Sequence, residues 1–270
     1  MTSLPQLFDL TGRTAVVTGG AGALGSAISV ALAEAGAAVA VVDLRIENAT
    51  RVADSINATG GRAVGYSGDL SQAAAVSDVF GGIDSEFGRI DILVNAISAP
   101  VNRFQPEEFP LDEWQTMLDS NLTSYFLCAQ AAARIMMRGG NGGSIVNFGS
   151  IAGVSALGRG NLAYAVAKGG VVQFTRELAY AWADRNIRVN TLLPCQFVNQ
   201  MWSSALVDQE RTPVVERVLS GLPLGRMGVP SEIVGPVLFL VSDASSMVTG
   251  VALPVDGGNL AMNPGASLEW

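Results

Sequence analysis

Seven short apolar runs alternate along this chain with helix-length segments, and that alternation constrains the fold more than any other feature. The runs are TAVVT (Thr14–Thr18), AAVAVVD (Ala37–Asp43), RAVGYS (Arg62–Ser67), DILVN (Asp91–Asn95), SIVNF (Ser144–Phe148), IRVNTLL (Ile187–Leu193) and GVALPVD (Gly250–Asp256). They are rich in Val and Ile and apolar almost throughout, the pattern of strands covered on both faces. Between them, about Leu24–Ala35, Glu47–Ala58, Ala73–Phe87, Leu111–Arg138 and Ala163–Ala183 read as helices. Strands alternating with helices imply parallel crossovers, hence an α/β fold with a doubly wound parallel sheet and helices on both faces. No linker or repeat divides the chain, so one domain is expected over residues 1–270. Leu192–Gly228 breaks the alternation, and so long an excursion suggests a substrate lid, about residues 195–222.

Composition narrows the chemistry. Hydrophobic residues are 49% of the chain and charged ones 15%, which supports a large core and argues against disorder. The chain has no histidine, so His-based metal sites and Ser–His–Asp triads are excluded. Its two cysteines, Cys128 and Cys195, form neither a disulfide framework nor a zinc cluster. A formal charge of −8 argues against nucleic acid and anionic membrane surfaces as partners. The N-terminal MTSLPQLFDLTGR lacks a basic region followed by an apolar core, and no apolar run is long enough to span a bilayer. A cytoplasmic location with reduced thiols is the expectation.

After the first strand comes TGGAGALG (Thr18–Gly25), in which Gly20, Gly22 and Gly25 fit G-x-G-x-x-G between a strand and a helix. Glycines let the backbone approach a pyrophosphate, and the helix start offers free N–H groups. Asp43 ends the second strand 18 residues beyond Gly25. A carboxylate there binds an adenosine ribose and repels a 2′-phosphate, so NAD is expected in preference to NADP. Arg45 lies close enough to soften that preference.

LAYAVAKGG (Leu162–Gly170) places Tyr164 and Lys168 four residues apart, on one helical face. A free tyrosine titrates near pH 10, and a neighbouring ammonium favours the phenolate. Tyr164 could then exchange a proton with an alcohol or a carbonyl as hydride moves.

The Gly loop, DILVN, SNLTSYF, IVNFGSIAG, YAVAK and IRVNTLLP occur in an order and spacing that resemble the short-chain dehydrogenase/reductase family. PLGRMGVPSEI, LVSDASSMVTG and VDGG extend the resemblance from roughly Phe8 to Asn259. The resemblance implies a Rossmann-type sheet of seven parallel strands and the shorter branch of the family, similar to sugar and polyol dehydrogenases and ketone reductases. It implies Tyr164 as acid–base, Lys168 as the residue that tunes it, Ser150 orienting the substrate oxygen, and Asn121 holding a water in a proton relay. Implied cofactor contacts are Gly19, Gly20, Gly22, Ala23, Leu24, Gly25, Asp43, Leu44, Asp69, Leu70, Asn95, Ala96, Tyr164, Lys168, Pro194 and Phe197. Thr18 is expected to brace its strand. No metal is needed, and a homotetramer is implied.

Several positions depart from the family pattern. Ala23 stands where shorter members carry glycine. Ser98, in NAIS, adds a side chain where glycine lets the cofactor approach. Cys195 replaces the glycine of the turn after the sixth strand, and Asn199 a threonine. The Ser150–Tyr164 separation is 14, one more than the family's, which places an extra residue in GVSALGRGN. In the lid, Phe197, Met201, Trp202 and Leu206 offer apolar walls and Gln196, Asn199 and Gln200 polar handles, with Asn102 and Arg103 on the opposite rim. Trp270 makes burial of the C-terminal tail plausible. The expected activity is NAD-dependent interconversion of a secondary alcohol and a ketone, on a polyol, sugar-derived or oxygenated cyclic substrate. The rivals are an NADPH-dependent 3-ketoacyl reductase and a cofactor-binding regulatory protein without catalysis.

Overall fold

The computed structural model of the chain describes residues 3–198 and 213–262. Seven parallel strands form one sheet in the order β3-β2-β1-β4-β5-β6-β7. They are β1 (Thr14–Thr18), β2 (Ala38–Asp43), β3 (Arg62–Ser67), β4 (Ile92–Asn95), β5 (Gly143–Phe148), β6 (Ile187–Pro194) and β7 (Ala252–Val255). A short turn, α1 (Leu4–Leu7), precedes the sheet. The crossovers run through α2 (Ala23–Glu34), α3 (Ile46–Ala58), α4 (Ala73–Phe87), α5 (Leu111–Leu118), α6 (Ser124–Gly139), α7 (Leu162–Ala181), α8 (Pro213–Ser220) and α9 (Val234–Val241).

The near-continuous apolar strands result from burial on two sides. Val17, Val41, Val94 and Val146 point into one core layer with Ile28 and Leu32 of α2, Ile56 of α3 and Leu240 of α9. Their chain neighbours Val16, Ala40, Leu93 and Ile145 point into the other, with Phe80 of α4, Ala132 of α6 and Ala179 of α7. Because side chains alternate across a strand, a sheet with helices on both faces needs apolar residues at every position.

Two elements differ from the expectation. The predicted continuous helix 111–138 is interrupted by a π-helical turn, Asp119–Thr123, between α5 and α6. One extra residue in the turn rotates α6 relative to α5, and such bulges accompany functional sites. Helix α9 has no counterpart in the sequence reading, because Gly235 and Pro236 mark its first turn as a breaker. Proline is tolerated there, where its missing N–H would have no helical partner. The strand order reverses between β1 and β4, so the crevice at the C-terminal ends of the strands is where such a sheet binds ligands.

Candidate active site

A buried polar row crosses the sheet just below that crevice. Thr18 pairs with Asn95, Asn95 with Asn147, and Asn147 with Thr191 in register. The Thr18 hydroxyl donates to Asn95 Oδ1 at 3.2 Å, and Asn95 Nδ2 donates to Asn147 Oδ1 at 3.0 Å. Asn147 Nδ2 continues to Thr175 on α7 at 3.1 Å. Thr18 is therefore a brace, as its sequence position suggests. Asn95 is fully buried with both amide atoms occupied, so its side chain has no reach toward a cofactor and only its backbone remains for that role.

The Gly loop sits on this row. Gly19 adopts φ +65°, and a Cβ there would lie 2.7 Å from the Ala96 carbonyl oxygen. A Cβ on Gly25 would strike the Gly19 carbonyl. The glycines thus close the turn against β4 and against the start of α2. The Gly20 amide donates to the Val42 carbonyl at 2.9 Å, so it ties the loop to β2 rather than facing outward. Gly22 is the N-cap of α2 without a side-chain cap, and Gly22 and Ala23 are exposed. The first turn of α2, Ala23–Gly25, follows the C-terminal end of β1, and its amides are ones that no carbonyl earlier in the helix can pair, so a pyrophosphate fits the helix start. Asp43 lies half-buried at the end of β2 beside this loop, and its Oδ1 accepts only a long bond from the Arg45 amide at 3.3 Å. Leu44 next to it is an exposed apolar surface. Asp69 spends Oδ1 on Ser71, whose amide and hydroxyl both donate to it, while the Leu70 side chain is buried in the core. The cradle, helix start and strand-end carboxylate together fit a dinucleotide.

Strand β5 and helix α7 carry the remaining groups. Ser150 comes just after β5, and its Oγ accepts from the Ala152 amide at 3.1 Å. The turn Ile151–Gly153 lies directly on the α7 backbone, since a Cβ on Gly153 would come within 2.6 Å of the Lys168 carbonyl oxygen. That contact sets Ser150 against α7. Ser150 and Ser98 stand close enough to the Tyr164 oxygen that their hydroxyls favour its phenolate. Loop 154–161 absorbs the extra residue through left-handed Gly158 and Gly160, and the Gly160 carbonyl accepts from the Phe104 amide at 3.1 Å. The insertion therefore leaves Ser150 in the neighbourhood of Tyr164.

Lys168 is almost wholly buried. Its Nζ donates to the Phe148 carbonyl at 2.8 Å and to the Tyr125 hydroxyl at 3.0 Å, and lies 5.8 Å from the Tyr164 ring centre. Burial lowers its pKa to about 7. Tyr164 departs from the sequence expectation. Burial raises its pKa, and the opposing pulls come from Ser150 and Ser98. A lysine held near neutrality contributes less positive charge than spacing alone suggests. Ser98, which adds a side chain where the family carries glycine, is also one of the groups that favour the Tyr164 phenolate. Tyr125 has no role in the sequence reading; its one signal there is its place four residues beyond Asn121, on the same helical face.

Asn121 lies in the π-helical turn, fully buried. Its Nδ2 donates to the Met117 carbonyl and contacts Met117 Sδ, while its Oδ1 has no partner. No described contact joins its side chain to Lys168.

Pro194, the last residue of β6, is half-buried, and Cys195 after it packs with Ile151, Val172, Leu193, Val218, Leu222 and Met227. The left-handed residue in this turn is Gln196, at φ +44°, so Cys195 does not need the freedom of the glycine it replaces. Burial, then the Asp256 charge, pushes its thiol up to about 11. Phe197 pairs with Gly228 in an isolated bridge and packs on the core. On the opposite rim, Asn102 donates to Glu113 at 2.9 Å and Arg103 is exposed. Asn199, Gln200, Met201, Trp202, Leu206 and Trp270, with half of the expected lid, lie outside the described residues. Among the described residues, no helix is long and apolar enough to cross a membrane, and no cluster of three or more Cys, Asp or Glu forms a metal site.

The family model described as enoyl-(acyl carrier protein) reductase matches residues 19–259. D-threitol dehydrogenase of Mycolicibacterium smegmatis is 40% identical over 252 residues, covering 93% of this chain and 94% of that protein. NAD-dependent glycerol dehydrogenase of Listeria innocua is 36% identical over 251 residues, covering 93% and 95%. A gluconate 5-dehydrogenase from Burkholderia cenocepacia, solved in complex with NADP and tartrate, superposes with a TM-score of 0.88 at 33% identity, covering 97% of this chain and 100% of that one.

Proposed function

Because the chain belongs to the short-chain dehydrogenase/reductase family and is an enzyme interconverting alcohols and ketones, we propose that Tyr164, Ser150, Lys168 and Asn121 are its catalytic set. The observation that carries this is the buried Lys168, whose Nζ bonds the Phe148 carbonyl two residues before Ser150 and lies 5.8 Å from the Tyr164 ring centre, with Ser150 near enough to Tyr164 to favour its phenolate. A nicotinamide dinucleotide supplies the hydride acceptor or donor. Ser150 donates a hydrogen bond to the substrate oxygen and fixes it against Tyr164. Tyr164 takes the hydroxyl proton during oxidation and returns it to the carbonyl oxygen during reduction. Ser150 and Ser98 favour its phenolate, and Lys168 adds positive charge from below. Asn121, with its unpartnered buried oxygen, anchors the proton path behind the lysine.

The cofactor proposed is NAD. Asp43, beside the loop and bound only weakly within the protein, favours ribose hydroxyls over a 2′-phosphate. The substrate class proposed is a polyol or a sugar-derived or oxygenated cyclic alcohol, supported by the threitol and glycerol dehydrogenases among the relatives. The 3-ketoacyl reductase reading is disfavoured by Asp43 and by a net charge of −8, which suits neither NADPH nor an acidic carrier. One catalytic domain with a lid about residues 195–222, assembled as a homotetramer in the cytoplasm, completes the reading. Screening D-threitol, glycerol, gluconate and cyclic diols by NADH absorbance identifies the substrate. Tyr164→Phe should then cut turnover by about 10²–10⁴-fold and leave NADH binding within a few-fold; turnover surviving in that variant refutes the assignment.

A further inference from the structure

We propose that Tyr125 is a positioning residue for Lys168, holding its side chain in place and keeping it charged beneath Tyr164. The proposal rests on the Tyr164–Lys168 assignment under Proposed function and concerns a residue that assignment does not use.

Tyr125 is fully buried in α6, and a phenylalanine would fill the same apolar space. Its hydroxyl needs compensation there, because an unpaired buried hydroxyl is costly. Every partner it finds belongs to the site. It accepts from Lys168 Nζ at 3.0 Å and donates to the Ile97 carbonyl at 2.8 Å, with the Phe148 carbonyl 3.2 Å away. Its ring also lies under the ammonium, 4.6 Å from ring centre to Nζ. Ile97 precedes Ser98, one of the groups that favour the Tyr164 phenolate. Phe148 ends the strand that leads to Ser150. One phenol thus joins α7, β5 and the segment after β4, the three elements that present Lys168, Ser150 and Ser98.

Geometry sets the direction of the effect. An ammonium buried among apolar groups survives only on acceptors, and Lys168 has two, the Phe148 carbonyl and the Tyr125 hydroxyl. The ionisable groups facing this lysine are Tyr125 from α6, with Cys128 one turn beyond it, and Tyr164 from α7 itself. Burial holds the phenol of Tyr125 and the thiol of Cys128 neutral by raising both. Tyr125 therefore serves as a dipole and not as a charge. Removing its oxygen makes the ammonium less favourable, weakens the positive field at Tyr164, and moves phenolate formation to higher pH.

The test compares the wild type with Tyr125→Phe, using the best substrate of the polyol panel with NAD, and separately titrates tyrosinate by ultraviolet difference absorbance in the free protein. The Tyr164 signal is identified by its loss in Tyr164→Phe. Expected for Tyr125→Phe is a displacement of the acidic limb of kcat/KM, and of the Tyr164 titration, upward by about one pH unit. Below that limb the rate falls about tenfold, while the NADH dissociation constant stays within about twofold. An unmoved limb overturns the proposal, whether the rate is unchanged or reduced equally at all pH values. Should Tyr125→Phe fail to fold, 3-fluorotyrosine at position 125 keeps ring and hydroxyl but weakens the acceptor. It should displace the limb in the same direction by less, and no displacement again overturns the proposal. If instead Tyr164→Phe keeps its turnover, the underlying catalytic reading fails, a result distinguishable from an unmoved limb in an enzyme that still needs Tyr164.

Discussion

Replacing Lys168 by methionine should make the protein more stable while removing its activity. Burial lowers the lysine pKa from 10.5 to about 7. Each unit of such a shift is worth about 1.4 kcal/mol, so carrying the charge at neutral pH costs the fold on the order of 4 kcal/mol relative to the unfolded chain. The bonds to Tyr125 and Phe148 return part of this, about 1 kcal/mol each. Methionine has a similar length, no charge and enough flexibility to fill the space. The net expectation is a gain of about 2 kcal/mol near pH 7, or roughly 4–8 °C in Tm. The sign of the pH dependence is set by the depressed pKa. Between about 7 and 10.5 the unfolded chain holds a proton that the folded protein has released. Wild-type stability therefore rises with pH in that window, at up to about 1.4 kcal/mol per unit, whereas the methionine variant lacks this slope. Its advantage should be largest at and below neutrality and shrink steadily toward pH 10. Urea unfolding followed by circular dichroism at several pH values in this window measures the difference directly. A variant less stable than wild type at neutral pH, or a stability gap that does not change with pH, refutes the account of Lys168 as a buried charge kept at the expense of stability.

Two further outcomes test the flanks of the site. Asp43→Ser should lower the NAD over NADP preference in kcat/KM by about tenfold or more, the worth of one lost charge interaction; an unchanged ratio in parallel kinetics would remove Asp43 from cofactor selection. The Cys195 thiol, pushed up to about 11 by burial and then by Asp256, should resist iodoacetamide in the native protein near neutral pH. Its labelling rate should climb about tenfold per pH unit as the thiolate forms, and Cys195→Ala should retain turnover within a few-fold. Rapid alkylation at neutral pH, detected by mass spectrometry of the peptide, would contradict the packed-wall description.

Most of the architecture is written in local pattern. Strands covered on both faces must be apolar at successive positions, so Thr14–Thr18 and Arg62–Ser67 are readable to the residue, and Ala73–Phe87 is equally plain as a helix. The Gly loop, Asp43, and the i, i+4 pair Tyr164 and Lys168 are legible for the same reason, since each depends on short spacing. Helix α9 escapes because its first turn carries Gly235 and Pro236, which local propensity reads as a break while the core beneath it decides otherwise. Asn95 looks like a cofactor ligand by position, yet its partners Thr18 and Asn147 are brought to it only by strand pairing. Tyr125, Ser98 and Tyr164 stand far apart in the chain and meet only when β4, β5, α6 and α7 are packed. The amino-acid order thus determined which groups the protein possesses and the layered sheet that carries them. Tertiary packing alone decided their ionisation, because a pKa depends on burial and on neighbours distant in sequence, and these raise Tyr164 where its spacing from Lys168 suggests the reverse.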